Sequence, residues 1–404
     1  MLGVNETSGE YHSRQQPVFL RQIRLKNLFS FGPDTAALDL QPLNILIGPN
    51  GSSKSNLLEA IARMRATPGD LRAVVRRGGG IGEWIWKGSP KQPAEVDLVV
   101  GYPQGKQPLR HNLIFRGENQ VFTLDDERIE NARPYPNQKE PYFYYRYQHG
   151  QPVLNTVERK ERRLAQDTVD ADLSILTQRR DPDLYPELAY LAGSYEKIRI
   201  YREWAFGRNT VFREPQRADM RNDRLEEDFS NLGLFLNRLR RTPKAKAAIL
   251  EGLKDLYQEI SDFDVIVEGG TVQVFFTEGD FTIPATRLSD GTLRYLCLLA
   301  ILCDPTPPPL ICIEEPELGL HPDVLIGLSD LLVDASARTQ LIVTTHSDII
   351  IDAMTERPES VVVCEKHEGK THMERLSKDD LNVWLDKYRL GELWIKGQIG
   401  GKRW

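Results

Sequence analysis

The chain has 404 residues and a formal net charge of −6; 40% of its residues are hydrophobic and 27% are charged. This composition is typical of a packed core in one large domain or two. The acidic balance argues against nucleic-acid binding over the whole surface and leaves only a local basic patch open. The sequence lacks an apolar run of the roughly 18 residues that span a bilayer, so we expect no membrane partner.

The first residues and the cysteines both bear on the compartment. Segment 1–17 is polar and lacks the basic and apolar blocks of a secretory signal. The four cysteines form no C-x-x-C pair, and Cys297, Cys303 and Cys312 lie in strongly apolar stretches. We therefore expect buried, reduced thiols rather than a zinc site, and a cytoplasmic protein.

Residues 43–61 read as an apolar strand, a glycine-containing loop and an apolar helix, after alternating residues 18–40 that predict one or two strands. Such a loop directs backbone N–H groups at an anion, and the helix adds its positive end. Lys54 is placed to reach the β- and γ-phosphates of a nucleotide, and Ser55 to ligate Mg²⁺. The segment therefore predicts a nucleotide site. Its candidate residues are Gly48, Asn50, Gly51, Ser52, Ser53, Lys54, Ser55 and Asn56.

Ser53 departs from the strict form of this loop, which has glycine immediately before the lysine. Glycine is favoured where the backbone needs a positive φ or must approach the ligand closely. Serine is small, and we interpret it as tolerated. A degenerate nucleotide site remains the alternative.

Residues 94–147 form short apolar runs separated by turn signals, which predicts a meander of antiparallel strands. The run Tyr142-Phe143-Tyr144-Tyr145 stands out within it. Aromatic side chains at this density in a strand are typical of sheet packing, and a base-stacking platform is the alternative.

Residues 155–260 are rich in Arg, Glu, Asp and Leu, with helical spacing over 225–239 and 245–260, and predict a mainly helical insertion. Two basic clusters lie within it, interleaved with acidic residues. A solvated, salt-bridged surface is the simpler interpretation, and a surface that tracks phosphates is the alternative. The clusters are Arg159, Lys160, Arg162 and Arg163, and Arg213, Arg217, Arg221 and Arg224.

The last third returns to alternating helix and strand patterns. Residues 265–281 predict a hairpin that turns at Glu-Gly-Gly. Ser289 and Gly291 stand where an apolar helix would begin, which is a second place for an anion. Continuous apolar runs at 310–313 and 340–345 predict strands buried on both faces.

Polar residues follow both of these buried runs. At the end of the first, Glu314 can hold the Mg²⁺ shell and Glu315 can orient and deprotonate an attacking water. At the end of the second, His346 can contact a γ-phosphate or that water, because ligands bind beyond the carboxyl ends of such strands. The last segment, 390–404, contains Trp394 and Trp404, which either dock on a partner or pack back on the chain.

Four motifs together resemble the ABC-type ATPases of the RecF/SMC/OLD group, and most of all its stand-alone AAA branch without a coiled coil. They are Asn-Gly-Ser-Ser-Lys-Ser-Asn, Leu-Ser-Asp-Gly, Ile-Glu-Glu-Pro-Glu-Leu-Gly-Leu-His-Pro and Thr-Thr-His-Ser. The resemblance covers about residues 18–65 and 284–365. It implies an α/β P-loop NTPase fold: an ABC-ATPase-type head with an antiparallel β lobe and a mainly helical insertion.

The resemblance also implies roles by position. Ser289 and Gly291 would form the signature that contacts the γ-phosphate bound in a partner subunit, Gly319 would lie in the D-loop, and His346 would be the switch histidine. Glu315 matches the catalytic glutamate, whereas Glu314 stands where the group usually has Asp. For the Q-loop glutamine, which binds nucleotide and metal, Gln178 is the first choice and Gln148 the second.

These observations predict an ATP- and Mg²⁺-dependent hydrolase that forms a homodimer around ATP and acts on DNA or on a nuclease or toxin partner, in DNA repair or phage defence. A non-hydrolysing nucleotide-binding scaffold for partner proteins is the alternative. A transporter motor is a weaker third hypothesis, because the long insertion and the need for a membrane partner argue against it. We expect three segments: an N-terminal lobe over 1–154, the helical insertion over 155–262 and a C-terminal lobe over 263–404.

Overall fold

The computed structural model describes residues 18–118, 121–148, 151–165, 169–170, 172–207, 210–211 and 213–400. The predicted leader 1–17 and Trp404 lie outside these ranges. In chain order the strands are β1 (Leu20–Lys26), β2 (Leu38–Asp39), β3 (Leu43–Ile47), β4 (Ala94–Val100), β5 (Leu109–Glu118), β6 (Val121–Asn131), β7 (Phe143–Gln148), β8 (Gln151–Asn155), β9 (Glu161–Arg163), β10 (Arg199–Tyr201), β11 (Gln216–Arg217), β12 (Ile260–Glu268), β13 (Thr271–Glu278), β14 (Phe281–Pro284), β15 (Leu310–Glu314), β16 (Gln340–Thr344), β17 (Val361–His367) and β18 (Lys370–Arg375).

The α-helices lie between and after these strands. They are α1 (Lys54–Arg65), α2 (Leu71–Arg77), α3 (Ile175–Gln178), α4 (Pro186–Tyr195), α5 (Leu232–Leu239), α6 (Pro243–Leu256), α7 (Asp290–Leu302), α8 (Leu325–Ser336), α9 (Asp348–Asp352), α10 (Lys378–Leu385) and α11 (Leu390–Ile395).

A six-stranded sheet in the order β10-β15-β16-β3-β17-β18 forms the centre, and its neighbours are parallel except for β17 and β18. Side chains alternate between its two faces. Ile45 and Ile47 of β3 join one hydrophobic core with α5 to α9, whereas Leu46 joins a second core with α1, α4 and the antiparallel sheet. Because apolar side chains are needed on both faces, the strands read as continuous apolar runs. The two predicted buried strands, now β15 and β16, are confirmed.

The antiparallel lobe is an eight-stranded sheet in the order β2-β1-β4-β5-β6-β7-β8-β9. Successive strands from β4 to β9 are neighbours, so the predicted meander is confirmed. Farther along the chain, β12 and β13 form the predicted hairpin, and its turn residues Gly269 and Gly270 have φ values of +58° and +78°. Two glycines meet that requirement without a steric cost.

The predicted, mainly helical insertion also contains short strands. Segment 155–262 contains α3 to α6, but also β9, β10 and β11, and β10 is an edge strand of the central sheet. The predicted boundaries at 154/155 and 262/263 fall inside β8 and β12, so they do not separate units of the fold. The fold crosses them because β10 completes the parallel sheet beside β15.

The two predicted helices in this segment are shorter than expected. The amide of Asn231 donates to the carbonyl oxygens of Arg221 and Arg224, at 2.9 and 2.7 Å, and so stabilises a loop up to the start of α5. Leu225 and Phe229 are buried from that loop rather than from a helix. The second helix, α6, ends at Leu256 because the chain enters β12 at Ile260.

Several open alternatives are resolved by packing. Arg217 and Arg221 form ion pairs with Asp219 and Asp223 at 2.6 Å, which agrees with a salt-bridged surface for the second basic cluster. Trp394 is 1% exposed on α11, which packs against α9, so this tryptophan packs back on its own chain. The four cysteines are buried and free, as expected. Within the described residues, no helix combines the length and apolar character needed to cross a membrane.

Candidate nucleotide site

Three neighbouring strands of the central sheet deliver the predicted site residues to one edge. The P-loop follows β3, Glu314 ends β15 and Glu315 follows it, and His346 follows β16, which lies between the other two strands. Because the three strands are parallel, their carboxyl ends meet at the same edge. The sheet order therefore brings together residues that are almost 300 positions apart in the sequence.

The loop after β3 has the backbone shape of an anion cradle. A Cβ at Gly48, whose φ is +148°, would lie 2.1 Å from the carbonyl oxygen of Cys364, so only glycine fits there. Gly51 and Ser53 have φ values of +76° and +77°. The departure noted in the sequence is thus real: Ser53 occupies a left-handed conformation that costs about 1 kcal/mol for a residue with a Cβ. The hydroxyl of Ser52 is buried and has no hydrogen-bond partner among the described residues, which suits a loop built to receive a ligand.

Lys54 begins α1 and lies almost fully buried inside the loop. Its ammonium group donates to the carbonyl oxygens of Gly48 at 2.8 Å and Pro49 at 3.2 Å. Burial lowers the pKa of Lys54, and the nearby carboxylates of Glu315 and Glu317 act in the opposite direction. The two backbone carbonyl groups therefore hold the lysine side chain at the floor of the cradle.

The neighbouring positions of α1 connect to the acidic strand. The Ser55 hydroxyl donates to the carboxylate of Glu314, and Asn56 donates to the hydroxyl of Ser30 at 2.8 Å. A serine hydroxyl in contact with a carboxylate is the donor set that Mg²⁺ prefers in nucleotide sites. Glu314 is one methylene longer than the aspartate that the resembled ATPases usually have here, and its carboxylate still contacts Ser55.

Glu315 and His346 face each other across the site. His346 Nε2 lies 3.4 Å from a carboxylate oxygen of Glu315. Glu315 has a φ of +46°, and its N–H donates to the carbonyl oxygen of Thr344 at 3.0 Å. A non-glycine residue held in this region by its surroundings is typical of functional sites. The conformation turns the Glu315 carboxylate out of the strand and toward the cradle.

An arginine from α7 supports this turn. Arg294 Nη2 donates to the carbonyl oxygen of Glu315 at 3.2 Å, and its guanidinium lies 4.7 Å from the ring centre of Trp204. Trp204, just beyond β10, donates its indole N–H to the carbonyl oxygen of Glu314 at 2.8 Å. Burial lowers the pKa of Arg294 to about 10, so it stays charged at neutral pH. The backbone carbonyl groups of Glu314 and Glu315 are thus held in place by side chains from the segment after β10 and from α7.

A third carboxylate, Glu317, was not predicted. It accepts hydrogen bonds from the His346 N–H at 2.6 Å and the Thr345 hydroxyl at 2.8 Å, and burial raises its pKa. Its second oxygen has no hydrogen-bond partner among the described residues. Glu317 ties the loop after β15 to the loop after β16, so it positions His346. The run Glu-Glu-Pro-Glu was visible in the sequence, but nothing in it distinguished this third acid.

A cavity of about 540 Å³ lies at this edge of the sheet, and its volume is within the range of ligand sites. Lys54, Ser55, Glu315 and His346 all contribute to its wall. Its other wall comes mostly from loops, with Lys366 from β17, and the sequence did not predict it because isolated residues of this kind carry no pattern. Those residues are Phe29, Ser30, Glu83, Ile85, Trp86, Lys87, Lys366 and Gly369.

The predicted signature lies beside this cavity and not in its wall. The Ser289 hydroxyl accepts from the N–H of Thr292 at 3.1 Å and caps α7, and Ser289 is exposed. A Cβ at Gly291 would lie 3.1 Å from the carbonyl oxygen of Gly319, so glycine allows α7 to approach the loop that follows β15. Leu318 in that loop is 50% exposed. The predicted signature and the predicted D-loop residue Gly319 thus lie on one outward-facing surface.

The assignment of Gln178 to nucleotide and metal is wrong. Its side chain accepts from the N–H of Asp170 at 2.8 Å and donates to the carbonyl oxygens of Asp170 and Leu173 at 3.0 and 2.9 Å. It is committed to a local loop and does not line the cavity. The second choice, Gln148, ends β7 in the antiparallel sheet. The strand beside β15 is β10, and Arg202 and Glu203 follow its carboxyl end, with Arg202 paired to Glu59.

Comparison with known proteins agrees with this geometry. Residues 43–352 match the family described as "AAA domain, putative AbiEii toxin, Type IV TA system". The chromosome partition protein Smc of Desulfitobacterium hafniense is 36% identical over 118 residues, which is 26% of this chain and 10% of that protein. The match thus spans about a tenth of that relative's length.

Two solved structures share the fold over nearly their whole length. The Smc head bound to the C-winged helix domain of ScpA has a TM-score of 0.54 at 15% identity, covering 90% of this chain and 99% of that one. The Smc head domain with an extended coiled coil, bound to the C-terminal domain of ScpA and derived from Pyrococcus furiosus, gives 0.53 at 14% identity, covering 91% and 99%.

Fold and motifs define an ABC-type ATPase of the SMC/RecF group. Because the family match spans most of the chain, the protein belongs to that family of AAA domains.

Proposed function

We propose that this protein hydrolyses ATP and that two copies hold two nucleotides between the P-loop of one and the signature of the other. The observation that carries the proposal is the pairing of Glu315 with His346 at 3.4 Å in the same cavity as Lys54. A carboxylate base, a polar partner and a cationic phosphate ligand are the parts that phosphoryl transfer to water requires.

The residues divide the work by position. Backbone N–H groups of the loop and the positive end of α1 bind the phosphates, and Lys54 exchanges its two carbonyl partners for phosphate oxygens. Glu315 accepts the proton of the attacking water, while His346 orients that water or the terminal phosphate. Ser55 and Glu314 would hold Mg²⁺, which when bound neutralises charge on the phosphate oxygens.

The two-copy arrangement is supported by the position of the signature. Ser289 and Gly291 lie outside the wall of the cavity, and Ser289 is exposed. Gly291 approaches Gly319, next to the half-exposed Leu318. Their helix start therefore has no phosphate to meet in its own copy. A nucleotide bound to a second copy would supply the phosphate that this helix start can bind.

ATP binding and release would then switch the protein between two assemblies. We propose that this switch acts on DNA or on a nuclease or toxin partner, in DNA repair or phage defence. The Smc heads solved with parts of ScpA support a partner protein, and the family description, which names a toxin, supports the second role. Work on DNA implies a cytoplasmic location.

The test is steady-state phosphate release by the purified protein with ATP and Mg²⁺, with and without DNA. Glu315→Gln should lower the rate about 100-fold or more, because the amide cannot accept the proton. Lys54→Ala should abolish release through lost binding. The matched control is Glu374→Gln on β18, whose carboxylate is 77% exposed. Wild-type release no faster than that of the two site variants would refute hydrolysis.

A non-hydrolysing scaffold is the second candidate. It is supported by the left-handed conformation of Ser53 and by the retracted Lys54, both of which disfavour tight phosphate contact. In that case the protein would bind ATP with measurable affinity by calorimetry while releasing no phosphate under any partner or DNA condition.

A further inference from the structure

A second cavity, of about 660 Å³, lies on the antiparallel lobe and shares no lining residue with the nucleotide site. Its wall includes the tyrosines that stand out in the sequence. Tyr142 precedes β7 and Tyr144 lies on it, Tyr102 follows β4, and Tyr135 comes from the loop between β6 and β7. Tyr145, the next residue of β7, points to the opposite face and is 2% exposed. The run therefore divides between core packing and a cavity wall.

The tyrosine rings are fixed by contacts behind them. The Tyr144 hydroxyl donates to Asn131 Oδ1 at 2.9 Å, and the Tyr142 ring meets the Tyr144 ring edge-on, with centres 5.3 Å apart. The Tyr102 ring lies 4.9 Å from that of Tyr190, whose hydroxyl donates to the carbonyl oxygen of Gly101 at 2.7 Å. Rigid, half-buried rings of this kind offer stacking surfaces at a low entropic cost.

The cavity also contains uncompensated charge of both signs. Glu187, at the start of α4, forms no ion pair with any described residue, and burial raises its pKa. Its negative charge also raises the pKa values of Tyr102 and Tyr144, beyond the larger effect of burial, which places it among the rings. Within the described chain, the cavity residues Lys106, Arg146 and Arg159 likewise have no acidic partner.

We propose that this cavity binds a guanine nucleotide, with the base on the tyrosines, Glu187 on the base edge and the basic residues on the phosphate. Guanine presents two adjacent N–H donors on one edge, and a carboxylate accepts both. Adenine presents a ring-nitrogen acceptor at the matching place and is repelled. The tyrosine rings stack on the base, and the basic residues contact the phosphate. The base comes either from a free mononucleotide or from a single strand.

The test is calorimetric titration of the Lys54→Ala protein with GMP and AMP. GMP lacks the β- and γ-phosphates that the P-loop recognises, and the substitution removes that site. We expect GMP to bind about tenfold or more tightly than AMP. Glu187→Gln should remove this preference, and Tyr142→Ala should weaken both nucleotides about tenfold. The matched control is Glu196→Gln. Glu196 directly follows the same helix, α4, and its carboxylate pairs with Arg180 outside the cavity.

Further titrations distinguish a free nucleotide from a single strand as the source of the base, and test a quaternary ammonium cation as the alternative ligand. Binding of an oligothymidylate only when it carries one guanine assigns the site to a single strand, and binding of GMP alone assigns it to a free nucleotide. Equal affinity of the protein for GMP and AMP overturns the proposal. So does an affinity for GMP that neither Glu187→Gln nor Tyr142→Ala changes. So does Glu187-dependent binding of tetramethylammonium without GMP binding, since that would make the cavity a cation cage. Circular dichroism of each variant excludes loss of fold.

Discussion

At the scale of single residues, Ser53 and Gly51 share nearly the same left-handed backbone conformation in the P-loop. A Cβ costs about 1 kcal/mol there, whereas glycine costs about 0.5–1 kcal/mol of unfolded-state entropy. Ser53→Gly should therefore leave the free energy of unfolding unchanged or raise it by up to about 0.5 kcal/mol. Gly51→Ala, its matched opposite, should leave it unchanged or lower it by up to about 0.5 kcal/mol. Urea denaturation of both variants checks the pair, and a Ser53→Gly protein less stable than Gly51→Ala would contradict it.

Glu317 should make stability depend on pH in a particular direction. Its folded-state pKa is raised by burial above the usual 4.5, so the folded protein binds this proton more tightly than the unfolded chain does. The free energy of unfolding then falls as pH rises above about 4.5 toward the raised value. Glu317→Gln keeps an oxygen for the His346 N–H and removes the titration. The free energy of unfolding of Glu317→Gln, relative to that of the wild type, should therefore increase as pH rises across this range. A difference between the two proteins that does not change with pH would contradict the prediction.

At the scale of elements, Trp204 links the edge strand β10 to the acidic end of strand β15. Trp204→Phe keeps a ring beneath Arg294 but removes the donor to the carbonyl oxygen of Glu314. If the protein hydrolyses ATP as proposed, kcat should fall about two- to tenfold, the value of one hydrogen bond, with KM for ATP nearly unchanged. Trp384→Phe, at a tryptophan 45% exposed on α10, is the control. A change in KM alone would show that Trp204 serves binding instead.

The elements also show what a sequence can and cannot predict. Gly48 and Glu315 directly follow strands whose apolar runs are continuous, and His346 comes two residues after another. Lys54 begins the helix after the glycine loop. All four were predictable because parallel strands end at one edge. Gln178 was misassigned because β10, the strand beside β15, has only three residues, too few for any pattern. Glu317 and Trp86 were missed because they reach the site through tertiary packing of loops. Such contacts leave no local periodicity.

At the scale of the whole molecule, joint binding of ATP by two copies requires that Ser289 of one copy meets the nucleotide of the other. Ser289→Asp preserves the cap of α7, because aspartate is as good a capping residue as serine, but it brings a negative charge toward the triphosphate. Ser289→Asn caps equally well and is neutral. The pair therefore separates charge at the interface from any loss of helix stability.

The decisive measurement is the mass of Glu315→Gln in ATP and Mg²⁺ by light scattering over a range of protein concentrations, alone and combined with either change at Ser289. We predict a two-chain mass for Glu315→Gln and for its Ser289→Asn combination. With Ser289→Asp we predict a one-chain mass that still binds ATP. A single-chain mass for Glu315→Gln at every concentration, or equal assembly of the Asp and Asn variants, would contradict joint binding of ATP by two copies.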